Sequence, residues 1–325
     1  MANDRVEKQI DSLKALRGGG LTAETTAALK KALTDRVNLI VAKAAQICGE
    51  MQASALIPEM KEAFERLFQE GKDQQCWGKN ALAKSLKDLG VQESAVFLPG
   101  CRHVQMEAVW GGQQDTAEVL RGTCMMALVQ CADIPRDEIL RHLVEALSEG
   151  SATVRLDAAR ALEQMGGREV ILLLRLKARL AEKDPRITGQ VLEALLQLEG
   201  REAIAFVGKF LEHGDEELRD EGALALGASR MPEAVAFLRA AWEQRRGKRP
   251  GAILLRAISA SRSDEALQFL LALVANGRQH DADDALYALE LHKGTEEMFK
   301  RVEQTVRERA DNQLTELFRK RFVLD

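Results

Sequence analysis

Residues 154–166 read VRLDAARALEQMG, and this stretch decides the fold. Its apolar residues fall at positions i, i+4, i+7, i+8 and i+11: Val154, Ala158, Ala161, Leu162 and Met165. This spacing places them on one face of an amphipathic α-helix. The small side chains of Ala158 and Ala161 let a second helix approach closely, so the stretch predicts a helix that packs against neighbouring helices.

The same pattern recurs along the rest of the chain at a nearly constant interval. Segments in this register begin at residues 154, 187, 218, 250 and 281, which differ by 33, 31, 32 and 31. A second amphipathic segment lies between each pair and carries an acidic residue near its start: Glu169, Glu202, Glu233 or Glu265. An acidic side chain near the start of a helix is stabilised by the partial positive charge at that end of the helix dipole. Two helices per unit and this period predict stacked helical hairpins.

Three looser copies of the pattern precede the regular ones. They begin at residues 37, 78 and 123, so the intervals up to 154 are 41, 45 and 31. We therefore predict an all-α fold, a single right-handed α-solenoid of about eight hairpins over residues 1–325. Its predicted parts are an N-terminal helix (1–20), irregular repeats (21–133), regular repeats (134–294) and a C-terminal capping helix (295–325).

Composition restricts the class of protein further. Hydrophobic residues make up 46% of the 325 residues, which is enough for a sizeable core, and the net charge is −4. The five cysteines show no CxxC spacing, so a reducing compartment fits better than a disulfide framework. The N-terminus lacks the apolar core of a secretory signal. No stretch approaches the roughly 18 consecutive apolar residues that a membrane-spanning helix needs. The sequence thus predicts a cytoplasmic protein with no membrane span.

The repeat units resemble HEAT repeats, particularly the bacterial kind called PBS-lyase HEAT-like repeats. The resemblance is carried by units such as VRLDAARALEQMG (154–166) and LRDEGALALG (218–227), and it covers roughly residues 20–295. It implies a helical solenoid and leaves the function open, because such scaffolds serve many roles. Families with these repeats include phycobilin lyase subunits, deoxyhypusine hydroxylase and alkyl-purine DNA glycosylases.

The residues give little support to catalysis. The hydroxylase resemblance implies an iron site made from His-Glu dipeptides. No such dipeptide is present, because the residues that follow the five histidines are Val104, Leu143, Gly214, Asp281 and Lys293. No nucleophile elbow or phosphate-binding glycine loop is present, since no strand precedes Gly18-Gly19-Gly20. Cys124 and Cys131 share a helix face and are expected to be buried hydrophobes. We expect no metal and no cofactor.

Nucleic-acid binding is disfavoured because it needs a basic groove. Positions 4, 7 and 11 of each second helix, which we predict to face solvent, carry four cations and six anions. Two basic clusters, 245–249 and 319–321, are expected to be solvated turns or helix ends. Apolar residues at the same solvent-facing positions suit a protein partner better: Ile40, Ile47, Met126, Leu224, Ile253, Tyr287 and Leu291.

The repeat is interrupted by an insert at residues 99–115, PGCRHVQMEAVWGGQQD. Pro99-Gly100 is predicted to end the preceding helix near Phe97, and Asp115 or Thr116 to cap the next one. Two interpretations of the insert are open. In one, it is a recognition loop that uses His103, Glu107, Trp110 and Asp115, because loops on rigid scaffolds tend to carry function. In the other, it only packs over the N-terminal hairpins with Trp110 as its anchor.

The sequence therefore favours a non-enzymatic scaffold that binds a protein or peptide through its curved surface and the 99–115 insert. Two alternatives come from other classes. One is a lyase-like enzyme or enzyme subunit resembling the phycobilin lyases, which a bound pigment would support. The other is a DNA-binding or DNA-repair protein, which salt-dependent binding to duplex DNA would support. The oligomeric state is left open.

Overall fold

The computed structural model describes residues 2–70, 73–244 and 251–323, and almost all of these lie in α-helices. By its internal contacts the chain divides into two compact units, Met1–Met165 and Gly166–Asp325. Each unit is a stack of helical hairpins, so the predicted α-solenoid fold is confirmed. Among the described helices, none has the length and apolarity that crossing a membrane requires.

Over its described residues, 2–70 and 73–165, the first unit contains nine α-helices and one short sheet. The helices are α1 Ala2–Ala15, α2 Ala23–Leu33, α3 Asn38–Glu50, α4 Ile57–Glu70, α5 Trp77–Asp88, α6 Ser94–Cys101, α7 Glu118–Leu128, α8 Arg136–Leu147 and α9 Ala152–Met165. Consecutive helices from α2 to α9 pair as four hairpins, and the second helices α3, α5, α7 and α9 pack on one another in turn. Strands β1 (Met106–Val109) and β2 (Gly112–Asp115) lie between α6 and α7.

The second unit repeats this plan with ten helices over its described residues. They are α10 Arg168–Lys177, α11 Pro185–Glu199, α12 Arg201–Gly208, α13 Glu216–Ala228, α14 Pro232–Gln244, α15 Gly251–Ala260, α16 Asp264–Asn276, α17 Gln279–Leu289, α18 Glu296–Arg309 and α19 Asn312–Phe318. Helices α10 to α17 form four further hairpins, which gives the eight predicted. The predicted single C-terminal helix is wrong, because Ala310 adopts a left-handed backbone (φ 54°) and separates α18 from α19.

The stripe that predicted the fold forms the packed face of α9. Val154, Ala158, Ala161 and Leu162 are wholly buried, as the helical period requires. The third hairpin departs from the prediction, because α7 occupies 118–128 and not 123–133. Its buried residues follow the same pattern from an earlier start: Leu120, Cys124, Ala127 and Leu128. A shift of about three residues is close to one helical turn, so both registers place apolar residues on the same face.

Three of the positions predicted to face solvent are buried, Ile40 and Ile47 in α3 and Ala81 in α5. Ile40 and Ile47 in α3 are wholly buried, whereas Leu224 and Leu291 are exposed as predicted. The N-terminal helix α1 explains the burial in α3, because it packs against α3 and buries its own Leu13. The helical period locates the face that packs within the stack, but it does not show where a terminal helix covers a second face.

Candidate functional site

The insert at 99–115 forms a β-hairpin. Strand β1 pairs antiparallel with β2, with Met106 opposite Asp115 and Val109 opposite Gly112. Gly111 provides the tight turn with φ 96°, a conformation that favours glycine. The predicted helix stop at Pro99-Gly100 is wrong, because α6 continues to Cys101. Gly100 serves close packing instead, since a Cβ atom there would lie 2.3 Å from Cys124 Sγ.

The tip of the hairpin is apolar and exposed. Trp110 at the tip has a relative exposure of 104%, and Val109 next to it is also exposed. Val104 and Met106, towards the base of the hairpin, are exposed as well. The interpretation in which Trp110 anchors the insert to the scaffold is therefore wrong. Residues 104–110 thus carry four exposed apolar side chains, which makes this segment a candidate interaction surface.

The base of the hairpin, in contrast, is tied firmly to α7. Asp115 Oδ1 accepts hydrogen bonds from the backbone N–H groups of Gln105 (3.1 Å) and Ala117 (3.0 Å), and Oδ2 pairs with Arg121 Nη1 at 2.7 Å. Arg121 is buried, and it also donates to Glu149 and to the carbonyl of His103. Burial opposes ionisation of Asp115, but these hydrogen bonds and Arg121 outweigh it and lower its pKa. Ala117 is the N-cap of α7, so the predicted capping by Asp115 or Thr116 is wrong in position.

Glu107 ties the hairpin to the turn that precedes α5. Its Oε1 accepts from the backbone N–H of Gln75 at 2.7 Å, from Thr116 Oγ1 at 3.2 Å and from the Gln105 side chain. Burial works against the carboxylate, but these donors outweigh it and lower the pKa of Glu107. Gln75 and Cys76 both have left-handed backbones (φ 58° and 51°), a strained conformation for residues other than glycine. Glu107 therefore helps to hold a strained turn.

Asp73 is the buried organiser on the other side of this turn. The side chain is wholly buried, and its two oxygens accept from the backbone N–H groups of Gly78 (2.9 Å) and Lys79 (2.8 Å) at the start of α5. Oδ1 also accepts from Asn38 Nδ2 at 2.9 Å. These bonds satisfy backbone donors that have no partner within the helix.

Lys79 places a positive charge beneath the hairpin. The residue is 1% exposed, and its Nζ lies 2.6 Å from Gln105 Oε1, 3.0 Å from His103 Nε2 and 5.4 Å from the centre of the Phe68 ring. Burial is the main cause that lowers the pKa of His103, and the charges of Lys79 and Arg121 lower it further. The hydrogen bond with Gln105 and the charge of Asp115 raise this pKa, but they do not offset the lowering. In the tautomer that carries its proton on Nδ1, the neutral imidazole accepts from the ammonium through Nε2, so that Lys79 donates to two neutral acceptors.

A pocket of about 530 Å³ opens beside this network. Its lining residues are Phe68, Gln74, Lys79, His103, Gln105, Met106, Glu107 and Ala108. A second groove of about 540 Å³ shares Phe68 and is mainly apolar, with Phe64, Val96 and Pro99 among its lining residues. An ammonium, a neutral imidazole, a carboxylate and an aromatic wall together suit recognition of a polar ligand with an apolar neighbour.

Three of the four predicted site residues therefore meet in one network, His103, Glu107 and Asp115, while Trp110 stands apart at the tip. Other members lie outside the insert and were not predicted: Asp73, Gln75, Lys79 and Arg121. No local signal marks these four, because they come from helices and a turn that only the fold brings to the hairpin.

The depressed pKa of His103 makes stability depend on pH. In the unfolded chain His titrates near 6.5, so below that pH the unfolded state binds more protons and the free energy of unfolding falls. We expect His103→Gln, which keeps an acceptor for Lys79, to lose less thermal stability than the wild type between about pH 7.5 and about pH 5.5. His292, whose pKa burial also lowers, is present in both proteins and cancels in the difference. An equal pH dependence in the two proteins would contradict this assignment.

The predicted basic clusters have different outcomes. Cluster 245–249 lies outside the described residues. In cluster 319–321, Arg321 is not simply solvated, because its guanidinium lies 2.9 Å from Glu290 and 4.3 Å from the centre of the Tyr287 ring. Within the described residues, no three His, Cys, Asp or Glu side chains converge in a way that could hold a metal ion.

The stacked hairpins define an α-solenoid repeat protein. Residues 173–254 match the model for HEAT repeats, so this part of the stack is built from HEAT repeats. No curated protein matches it. Among solved structures it is similar to human deoxyhypusine hydroxylase in complex with glycerol, with 20% identity over 77% of this chain and 87% of that chain and a TM-score of 0.29. A likeness this weak carries no argument about activity.

Proposed function

We propose that this chain is a non-enzymatic scaffold that binds a protein or peptide partner, with the β-hairpin as its recognition element. The observation that carries the proposal is the contrast between the two ends of the hairpin. Trp110 is fully exposed at the tip, while Asp115 and Glu107 fix the base through charge-assisted hydrogen bonds. An aromatic side chain held out on a rigid support is typical of binding hot spots, where Trp is enriched.

We propose further that the repeats are of the bacterial PBS-lyase HEAT-like type and that the protein works in the cytoplasm. The repeat residues quoted above support the first point. Support for the second comes from the five cysteines, all of which are free and buried, as suits a reducing compartment. The balance of charges at the solvent-facing positions of the repeat favours a protein partner over nucleic acid.

Trp110→Ala tests the proposal with little risk to the fold. We expect the variant to recover at least about tenfold less partner than the wild type in affinity purification from the native host, because truncating a hot-spot Trp typically costs about 2 kcal/mol or more. Its thermal stability should stay within about 0.5 kcal/mol of the wild type, since a fully exposed side chain contributes little to folding. Leu172→Ala is the matched control, as Leu172 is also strongly exposed but lies in the second unit.

Undiminished recovery of the partner by Trp110→Ala would overturn the proposal. A point substitution is preferable to deleting residues 103–114, because the deletion also removes His103, Gln105 and Glu107. Those side chains are hydrogen-bond partners of Lys79 and Gln75, so loss of binding in the deletion would not separate recognition from misfolding.

A further inference from the structure

Lys79 carries a buried charge that no carboxylate of the described residues neutralises by direct contact. Its acceptors, His103 Nε2 and Gln105 Oε1, are neutral, and the third neighbour is the face of Phe68. A buried charge is costly without an opposite partner. Lys79 nevertheless lines the 530 Å³ pocket, so its field acts on whatever occupies that space. An anionic group there would gain a partner already held in position.

Strand β1 offers an open backbone edge at the same pocket. The Gln105 carbonyl accepts from Thr116 N at 2.9 Å, so the backbone groups of Gln105 and Glu107 face β2. In an antiparallel pair the backbone groups of alternate residues point to opposite sides, so those of Met106 and Ala108 point away from β2. Both residues line the pocket. The sheet has only these two strands among the described residues, and an extended peptide can add to such an edge.

Glu107 lines the same pocket but does not cancel the charge of Lys79. Its Oε1 is engaged by Gln75 N, Thr116 Oγ1 and Gln105 Nε2, so its negative charge is directed into the turn before α5. Among the described residues, Oε2 accepts one longer bond, of 3.2 Å, from Gln75 Nε2. That oxygen can accept an N–H from a bound peptide, which makes Glu107 compatible with a ligand that carries both amide donors and a carboxylate.

We infer that this pocket binds an acidic peptide segment in extended conformation. The segment adds to the open edge of β1, and an Asp or Glu side chain of the segment lies in the pocket, where the positive field of Lys79 stabilises its carboxylate. An apolar side chain of the same segment occupies the adjoining groove formed by Phe64, Phe68, Val96 and Pro99. The inference rests on the proposed function, because it specifies the chemistry of the partner at the hairpin.

A phage-displayed library of random peptides, selected against the full chain, is the probe. We expect the recovered peptides to be enriched in Asp or Glu next to an apolar residue. Changing that acid to Gln or Asn in the best synthetic peptide should weaken binding at least about tenfold, and higher salt should reduce the difference. This change is made in the peptide, so it does not depend on how any protein variant folds.

Lys79→Met is the complementary change in the protein, since it removes the charge and retains most of the apolar stem. With circular dichroism confirming the fold, this variant should bind the acidic peptide and its amide analogue about equally. Recovery of neutral peptides, recovery of none, or an undiminished acid preference in Lys79→Met would overturn the inference. Failure of the proposed function is distinguished from failure of this inference by a different result, which is undiminished recovery of the native partner by Trp110→Ala.

Discussion

Replacing Asp73 with alanine is expected to lower the free energy of unfolding by about 3 kcal/mol or more. The carboxylate is wholly buried and accepts from Gly78 N, Lys79 N and Asn38 Nδ2. Alanine would remove the side-chain acceptor of the two backbone N–H groups and leave Asn38 Nδ2 with the Gln74 carbonyl alone. Each unsatisfied buried group costs about 1–3 kcal/mol. Urea unfolding, followed by far-ultraviolet circular dichroism and by tryptophan fluorescence, measures the loss. Trp77 at the start of α5 lies close to the change in sequence.

Asp88→Ala is the matched control at the other end of the same helix. Asp88 is exposed and pairs with Lys84 on the surface of α5, and such pairs contribute at most about 1 kcal/mol. Its replacement should change the free energy of unfolding by less than about 0.5 kcal/mol. Similar effects from the two substitutions would show that Asp73 does not organise the start of α5.

Asp73 also links the fold to the candidate site. It holds the backbone N–H of Lys79, and its own carbonyl accepts from Gln105 Nε2 at 2.7 Å. Asp73 thus fixes the start of α5, from which Lys79 reaches the pocket. It also fixes the side chain of Gln105, which accepts a hydrogen bond from Lys79. Pockets whose polar groups are held by such supporting bonds bind with less loss of conformational freedom.

The helical stack could be predicted from the sequence because its signal is periodic. Each second helix repeats the same apolar stripe, and a stripe of this kind determines both the helix and its packed face. The hairpin could not be predicted in this way. Its strands have four residues each and are largely exposed, so they show no alternation of buried apolar and exposed polar residues. Only the turn glycines Gly111-Gly112 hint at a hairpin.

The candidate site was predictable only where it coincides with the insert. His103, Glu107 and Asp115 stand out because they interrupt a repeat. Lys79 occupies an ordinary position in a regular helix, where the pattern gives no reason to expect a buried ammonium. Its burial follows from the hairpin that closes over it, and contacts between residues distant in the chain are not contained in a local period.

Substituting Gly227 with alanine is expected to destabilise the second unit by about 3 kcal/mol, although alanine is the better helix former by about 1 kcal/mol. Gly227 lies in α13 where that helix packs on α15. A Cβ atom there would lie 2.3 Å from the carbonyl oxygen of Ala257 and 2.8 Å from its carbonyl carbon. These are backbone atoms, so no side-chain rotation relieves the overlap and the two helices must separate. Thermal unfolding followed by circular dichroism measures the loss.

Two other glycines provide the comparison that makes this result specific. At Gly189 a Cβ would lie 2.0 Å from Glu221 Oε2, but that oxygen ends a flexible side chain that can move, so Gly189→Ala should cost less. Gly214 has no atom within 4 Å of the added Cβ, and alanine there should leave stability unchanged or raise it by up to about 1 kcal/mol. From the most to the least stable, the expected order of the variants is Gly214→Ala, Gly189→Ala and Gly227→Ala. The stacking of the second helices α13 and α15 depends on this close contact between their backbones. A Gly227→Ala protein as stable as the wild type would therefore mean that the two helices do not pack backbone to backbone.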